Sequence, residues 1–146
     1  MRFATLSLAL LLASCVTAVA PSPTQPKSTT GCDSQEVSAF LDQADSAITR
    51  LNHLATTFGD TESASEAAPI IKDVDDLFLE IMLWEAPPCA KDLQINVAMA
   101  VENLSTAMTA LMNGDVEEFN RNYGTYAIAV EMMNKERDAL LLIAGD

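Results

Sequence analysis

From residue 33 onward the apolar side chains recur at alternating spacings of three and four, a period that restricts the chain to helices with one buried face apiece. In the first stretch, Asp33 to Phe58, the stripe is Val37, Leu41, Ala44, Ile48, Leu51, Ala55 and Phe58. Asp33 followed by Glu36 fits a capping box, and Gly59 stops the helix. The second stretch begins near Ser65 to Pro69, because proline is tolerated only in a first turn, and it buries Ile70, Val74, Leu77, Ile81 and Trp84 before Pro87-Pro88 ends it. The third runs from about Cys89 to Asn113 with Leu93, Val97, Ala100, Leu104, Ala107 or Met108, and Leu111 inward, closed by Asn113-Gly114. The fourth opens at Asp115, which makes a second capping box with Glu118, and runs to Ala144 with Phe119, Tyr123, Tyr126, Val130, Met133 and Leu140 on its stripe. Arg137 interrupts that seam and must snorkel or pair with a carboxylate. Gly124 inside the same helix costs about 1 kcal/mol against alanine, so it marks a kink or a close helix contact.

Four amphipathic helices of similar length joined by short turns predict an all-α fold, an up-down-up-down four-helix bundle over residues 32–146. That length suffices for one core and not for two. Cys32 and Cys89 then stand at the starts of helices one and three, which share an end of such a bundle. A disulfide there staples the two diagonal helices. The pair is 57 positions apart and lacks a Cys-x-x-Cys spacing, which argues against a redox or metal pair.

The N-terminus carries an address. Met1-Arg2 followed by the apolar run Phe3 to Ala13 has the length of a secretory signal and is too short for a permanent membrane span. The run ends in Leu12-Ala13-Ser14-Cys15, which resembles the signal of bacterial lipoproteins: an aliphatic residue, two small residues and the cysteine that becomes the acylated first residue. The resemblance implies a signal peptide over 1–14, lipidation of Cys15, and anchoring to the cell envelope. Val rather than Asp at position 16 implies the outer membrane where a host has two. An ordinary signal peptide is the alternative, with Val16-Thr17-Ala18 offering cleavage before Val19 and a secreted product without Cys15. Residues 15–31 hold Pro21, Pro23 and Pro26 among Ser, Thr and Gln, a composition that predicts a disordered tether reaching ~50 Å at about 3.1 Å per residue. The helix-Pro-Pro-Cys-helix junction from Trp84 to Ala90 also resembles uncharacterised small helical lipoproteins of bacteria and carries no activity with it.

Charge narrows the partners. The chain has eight Lys and Arg against 21 Asp and Glu, and loss of Arg2 with the leader takes the formal charge from −13 to −14. Nucleic acid and anionic lipid surfaces are therefore disfavoured, and contact with the membrane is expected through the lipid anchor alone. An unidentified protein partner is the remaining expectation.

No residues assemble a strong catalytic, cofactor or metal motif. His53 is the only histidine, which excludes paired Glu-x-x-His di-iron ligands and leaves no base for a nucleophilic triad. Neither Cys32 nor Cys89 begins a haem-attachment motif, and there is no Gly-x-Ser-x-Gly, Walker loop or dinucleotide fingerprint. Asp73, Asp76 and Glu80 line one side of helix two near Asp75, which reads as a solvated acidic face because no loop ligands or EF-hand pattern accompany them. Asn103-Leu104-Ser105 is a sequon by pattern, but it falls in helix three. The expected function is thus a non-enzymatic, lipid-anchored interaction or structural module. The alternative is a carrier of a small apolar ligand, with Trp84, Met108, Met112, Tyr123 and Tyr126 lining the bundle interior or a methionine-rich groove; thioethers would also suit copper(I).

Overall fold

The computed structural model describes residues 32–145; the leader, Cys15 and the tether over 15–31 lie outside the described residues. Four helices follow in order: α1 (Ser34–Gly59), α2 (Ala64–Met82), α3 (Lys91–Met112) and α4 (Val116–Ala144). Each starts where local chemistry satisfies the free amides of its first turn. The Asp33 carboxylate accepts from the Gln35 and Glu36 amides at 2.8 and 3.2 Å, and Asp115 accepts from the Glu118 amide at 2.9 Å. Ser63 caps α2 by accepting from the Glu66 amide, while the Glu66 carboxylate reaches back to the Glu62 amide at 3.0 Å. Ala90 precedes α3 and supplies no side-chain cap.

The turn between α3 and α4 is set by glycine. Gly114 adopts φ +74°, and the Gly114 and Asp115 amides donate to the Leu111 and Ala110 carbonyls, the paired bonds of a Schellman ending. Gly59 does not act this way: it is the last residue of α1, and Asp60 caps with right-handed geometry. Pro69 also departs from expectation. It falls in the second turn of α2, not the first, because the Ser63 cap starts the helix earlier. The hydrogen bond it removes would have gone to the carbonyl of exposed Ser65, which water can satisfy.

The bundle is up-down-up-down, with sequential helices packed side by side and α4 returning against α1. α1 and α3 touch across the diagonal, whereas α2 and α4 do not meet. α1 and α3 therefore each have three neighbours, and α3 buries the widest arc: Leu93, Val97, Ala98, Ala100, Val101, Leu104, Ala107, Met108 and Ala110. Ala107 and Met108 both face inward. Leu111 does not, since it is 45% exposed beyond the last packed turn. On α1 the buried face also includes Phe40, Ala47 and Leu54, turning the stripe toward α2 and α4 on either side.

Cys32 and Cys89 form the disulfide, with Cα atoms 6.2 Å apart, and both pack half-buried against the core. Arg137 pairs: its Nε and a terminal guanidinium nitrogen donate to the two Asp45 carboxylate oxygens at 2.6 and 2.9 Å, tying α4 to α1. Gly124 makes no close helix contact, because a Cβ placed there would meet nothing within 4 Å. No described helix is long and apolar enough to cross a membrane.

Candidate functional site

The residues that the sequence assigns to an interior ligand site are not brought together. Trp84 lies at the disulfide end of the bundle, packed edge-on against Phe40 with ring centroids 5.8 Å apart. It sits beyond the end of α2, not on its stripe as the period suggests, because α2 closes at Leu83. Met108, Met112, Tyr123 and Tyr126 belong to the far halves of α3 and α4, around the Gly114 turn. Met108 is buried in the core, and Met112 and Tyr126 are half-buried. Tyr123 is 43% exposed and stacks between Phe119 and Tyr126, with centroids 5.5 and 5.7 Å away. Burial, and then the neighbouring Tyr123, raises the Tyr126 hydroxyl above the ordinary tyrosine pKa.

The middle of the bundle is filled by its own side chains. Leu51 of α1, Leu77 and Ile81 of α2, and Leu93, Val97 and Val101 of α3 are almost wholly buried in one continuous core. The methionines are spread: Met108 and Met133 in the core, Met82, Met99 and Met132 on the surface.

Other candidate groups are committed to pairing. The acidic side of α2 is divided among partners, with Asp76 on Lys72 at 2.5 Å, Glu80 on Arg50 at 2.9 Å, and Asp75 accepting from the Ser105 hydroxyl of α3. Asp76 in turn raises the Lys72 ammonium above its ordinary pKa. Among the described residues no group of three or more His, Cys, Asp or Glu side chains is placed to hold a metal ion. His53 is exposed on α1.

What the structure does assemble is an apolar face at the disulfide end. Met82 at the end of α2 and Ile95 on α3 are 58% and 55% exposed and wall one cleft of about 470 Å³ with Trp84, Glu85, Ala86, Lys91, Gln94 and Ala98. Gln94 shapes its floor by donating to the Ile81 and Trp84 carbonyls at 2.8 and 3.0 Å, which closes α2 from the neighbouring helix. Leu79 lies one turn from Met82, and Met99 one turn from Ile95, so the exposed apolar strip continues along both helices. Ile128 and Met132 on α4 are exposed too, and the antiparallel register about Gly114 sets them level with Met99 and Ile95. Sequence periodicity passes over these residues because they fall outside each helix's buried stripe. Their signal was the presence of Leu, Ile and Met at positions where an isolated bundle would carry charge.

Comparison of the chain with family models, with curated proteins and with solved structures gives no match.

Proposed function

We propose that this chain is a non-enzymatic binding module, held to a bacterial cell envelope through lipidated Cys15 and the tether over 15–31, that offers the apolar face of its bundle to a partner. The observation that carries this reading is the exposure of Met82 and Ile95 on the walls of one cleft, with exposed Leu79 and Met99 one turn further along the same two helices. Contiguous apolar surface on a folded domain marks an interaction site, since leaving it in water costs about 25 cal/mol per Å². Methionine suits such a face because its unbranched thioether adapts to the shape it meets. The acidic remainder keeps the domain soluble and apart from anionic surfaces. A ligand held in the bundle interior is not favoured, because core side chains occupy that space.

Two measurements test the reading. Intact mass of the exported protein should show a chain that starts at Cys15 and bears acyl groups; an unacylated chain starting at Val19 sinks the anchor. A photo-crosslinking residue at position 99 should give a discrete adduct in cells, and the same residue at exposed position 53 on α1 should not. Equal labelling from both positions sinks the binding face.

A further inference from the structure

α4 is longer than the helix it returns against. The Arg137–Asp45 pair fixes the antiparallel register of α4 and α1, and counting from it along both helices sets Tyr126 level with Thr56 and Tyr123 level with Gly59, where α1 ends. Phe119, Tyr123, Tyr126 and Val130 recur at spacings of four, three and four on the side of α4 that carries Arg137. This side therefore outruns α1, and among the described residues α4 first buries a side chain at Ala129. The rings of Phe119, Tyr123 and Tyr126 pack in sequence as an aromatic ladder that stays partly in water. Toward the disulfide end the same seam opens into a cleft of about 240 Å³ lined by Asp45, Ile48, Thr49, Asn134 and Arg137.

The chain that enters the bundle at Cys32 has the length and the chemistry to cover this seam. Residues 19–31 hold Lys27 and no acid, beside a domain that is strongly acidic. Pro21, Pro23 and Pro26 favour polyproline II, which is extended before it binds and so loses little entropy on docking against aromatic rings. Measured back from Cys32 at about 3.1 Å per residue, Pro26 lies about 19 Å away, Pro21 about 34 Å and Val19 about 40 Å. α1 rises about 1.5 Å per residue, so these lengths reach the levels of Asp45, Tyr126 and Tyr123 to within about one residue. Lys27 then falls at the level of exposed Asp42 and Asp138.

We propose that residues 19–26 dock along the α1–α4 seam of their own chain, with Pro26 at the cleft beside Arg137 and with Pro21 and Val19 on Tyr126 and Tyr123. Attachment at Cys32 gives the segment an effective concentration of about millimolar, so contacts too weak to hold a free peptide suffice. Residues 19–31 remain whether the mature chain begins at Cys15 or at Val19, so the docking does not depend on acylation, and it leaves the Met82–Ile95 face open. In an acylated chain the docked segment brings Cys15 toward the end of the bundle that carries the Gly114 turn; release lets the disulfide end face the membrane instead.

Lys27 is the one trypsin site in residues 19–31, and cleavage after it reports release, because proteolysis follows the population of the open form. The mature chain is digested beside a synthetic peptide of residues 19–31, with the cut after Lys27 followed by mass. The chain should be cut about tenfold more slowly than the peptide, at a ratio independent of protein concentration. Tyr123→Ser, at an exposed position, should bring the rate to within about twofold of the peptide's, and so should Pro21→Gly combined with Pro23→Gly, which lies outside the bundle and leaves its packing untouched. Equal rates in chain and peptide, or slow cutting that either variant leaves unchanged, would overturn the proposal. Protection lost on dilution would overturn it too, and would assign the seam to the tether of a second copy.

Discussion

Gly124 occupies the interior of α4 with ordinary right-handed geometry and open space around it, so the helix carries the entropic cost of glycine with no steric return. Gly124→Ala should therefore stabilise the domain by about 1 kcal/mol, read as a higher urea midpoint at unchanged slope. Gly114 is the opposite case. Its φ of +74° places any Cβ against the following carbonyl, and Gly114→Ala should cost about 1–2 kcal/mol in the same assay, although nothing crowds the site. From sequence both glycines look like helix punctuation, and only the backbone angle separates one that is required from one that is tolerated. Trp84 shows the same limit. Its spacing from Ile81 continues the α2 stripe, yet the Gln94 side chain takes the Ile81 and Trp84 carbonyls from a neighbouring helix, and the chain leaves the helix before it.

At the scale of the element, caps were legible and partners were not. Asp33 and Asp115 accept from the Glu36 and Glu118 amides as their spacing implies, because an N-cap bond lies within three residues of its acceptor, but the Glu118 carboxylate turns to Arg121 and Asn122 instead of completing a capping box. Ser63 and Glu66 form a further cap, which starts α2 at Ala64 and so puts Pro69 in its second turn. The Glu62 amide, and then the Ser63 hydroxyl, hold the Glu66 carboxyl below its ordinary pKa. A lowered folded pKa contributes stability that is complete above the unfolded-chain value of about 4.3 and lost as pH falls through the folded value. Wild type should accordingly exceed Glu66→Gln in Tm at pH 7, and the gap should close as pH falls below about 4. A gap independent of pH would remove the carboxylate from the cap. Between elements, the Arg137–Asp45 pair is two-pronged but half-exposed, so Arg137→Met should cost no more than about 1 kcal/mol.

For the molecule as a whole, the disulfide and the burial of α3 should make large contributions to stability. The Cys32–Cys89 bond closes a loop of 57 positions and should contribute about 4 kcal/mol by restricting the unfolded chain. Urea unfolding with and without reductant measures it, and a difference under about 1 kcal/mol would mean that packing alone holds α1 and α3 together. Leu93 is wholly buried in α3, the helix with the widest buried arc, so Leu93→Ala should cost about 2–5 kcal/mol. The outward substitution Ile95→Asp, by contrast, should leave stability within about 0.5 kcal/mol while abolishing the crosslink from position 99 expected of the binding face.

The sequence by itself determined that this chain makes four helices, roughly where each begins and ends, that they alternate in direction, and that its two bundle cysteines share an end. These properties follow from local hydrogen bonding, from a period of 3.6 and from the shortness of the turns. Tertiary structure alone decided how wide an arc each helix buries, that α1 and α3 meet across the diagonal while α2 and α4 do not, and that Tyr123 and Leu111 stay at the surface while Phe40 and Leu54 go in. It also decided that Met82 and Ile95, chosen by no stripe, would meet across a cleft beside Lys91. Period marks which side of a helix faces its neighbours, but the number and placement of those neighbours set how much of the rest is covered, and that information is held by the other helices.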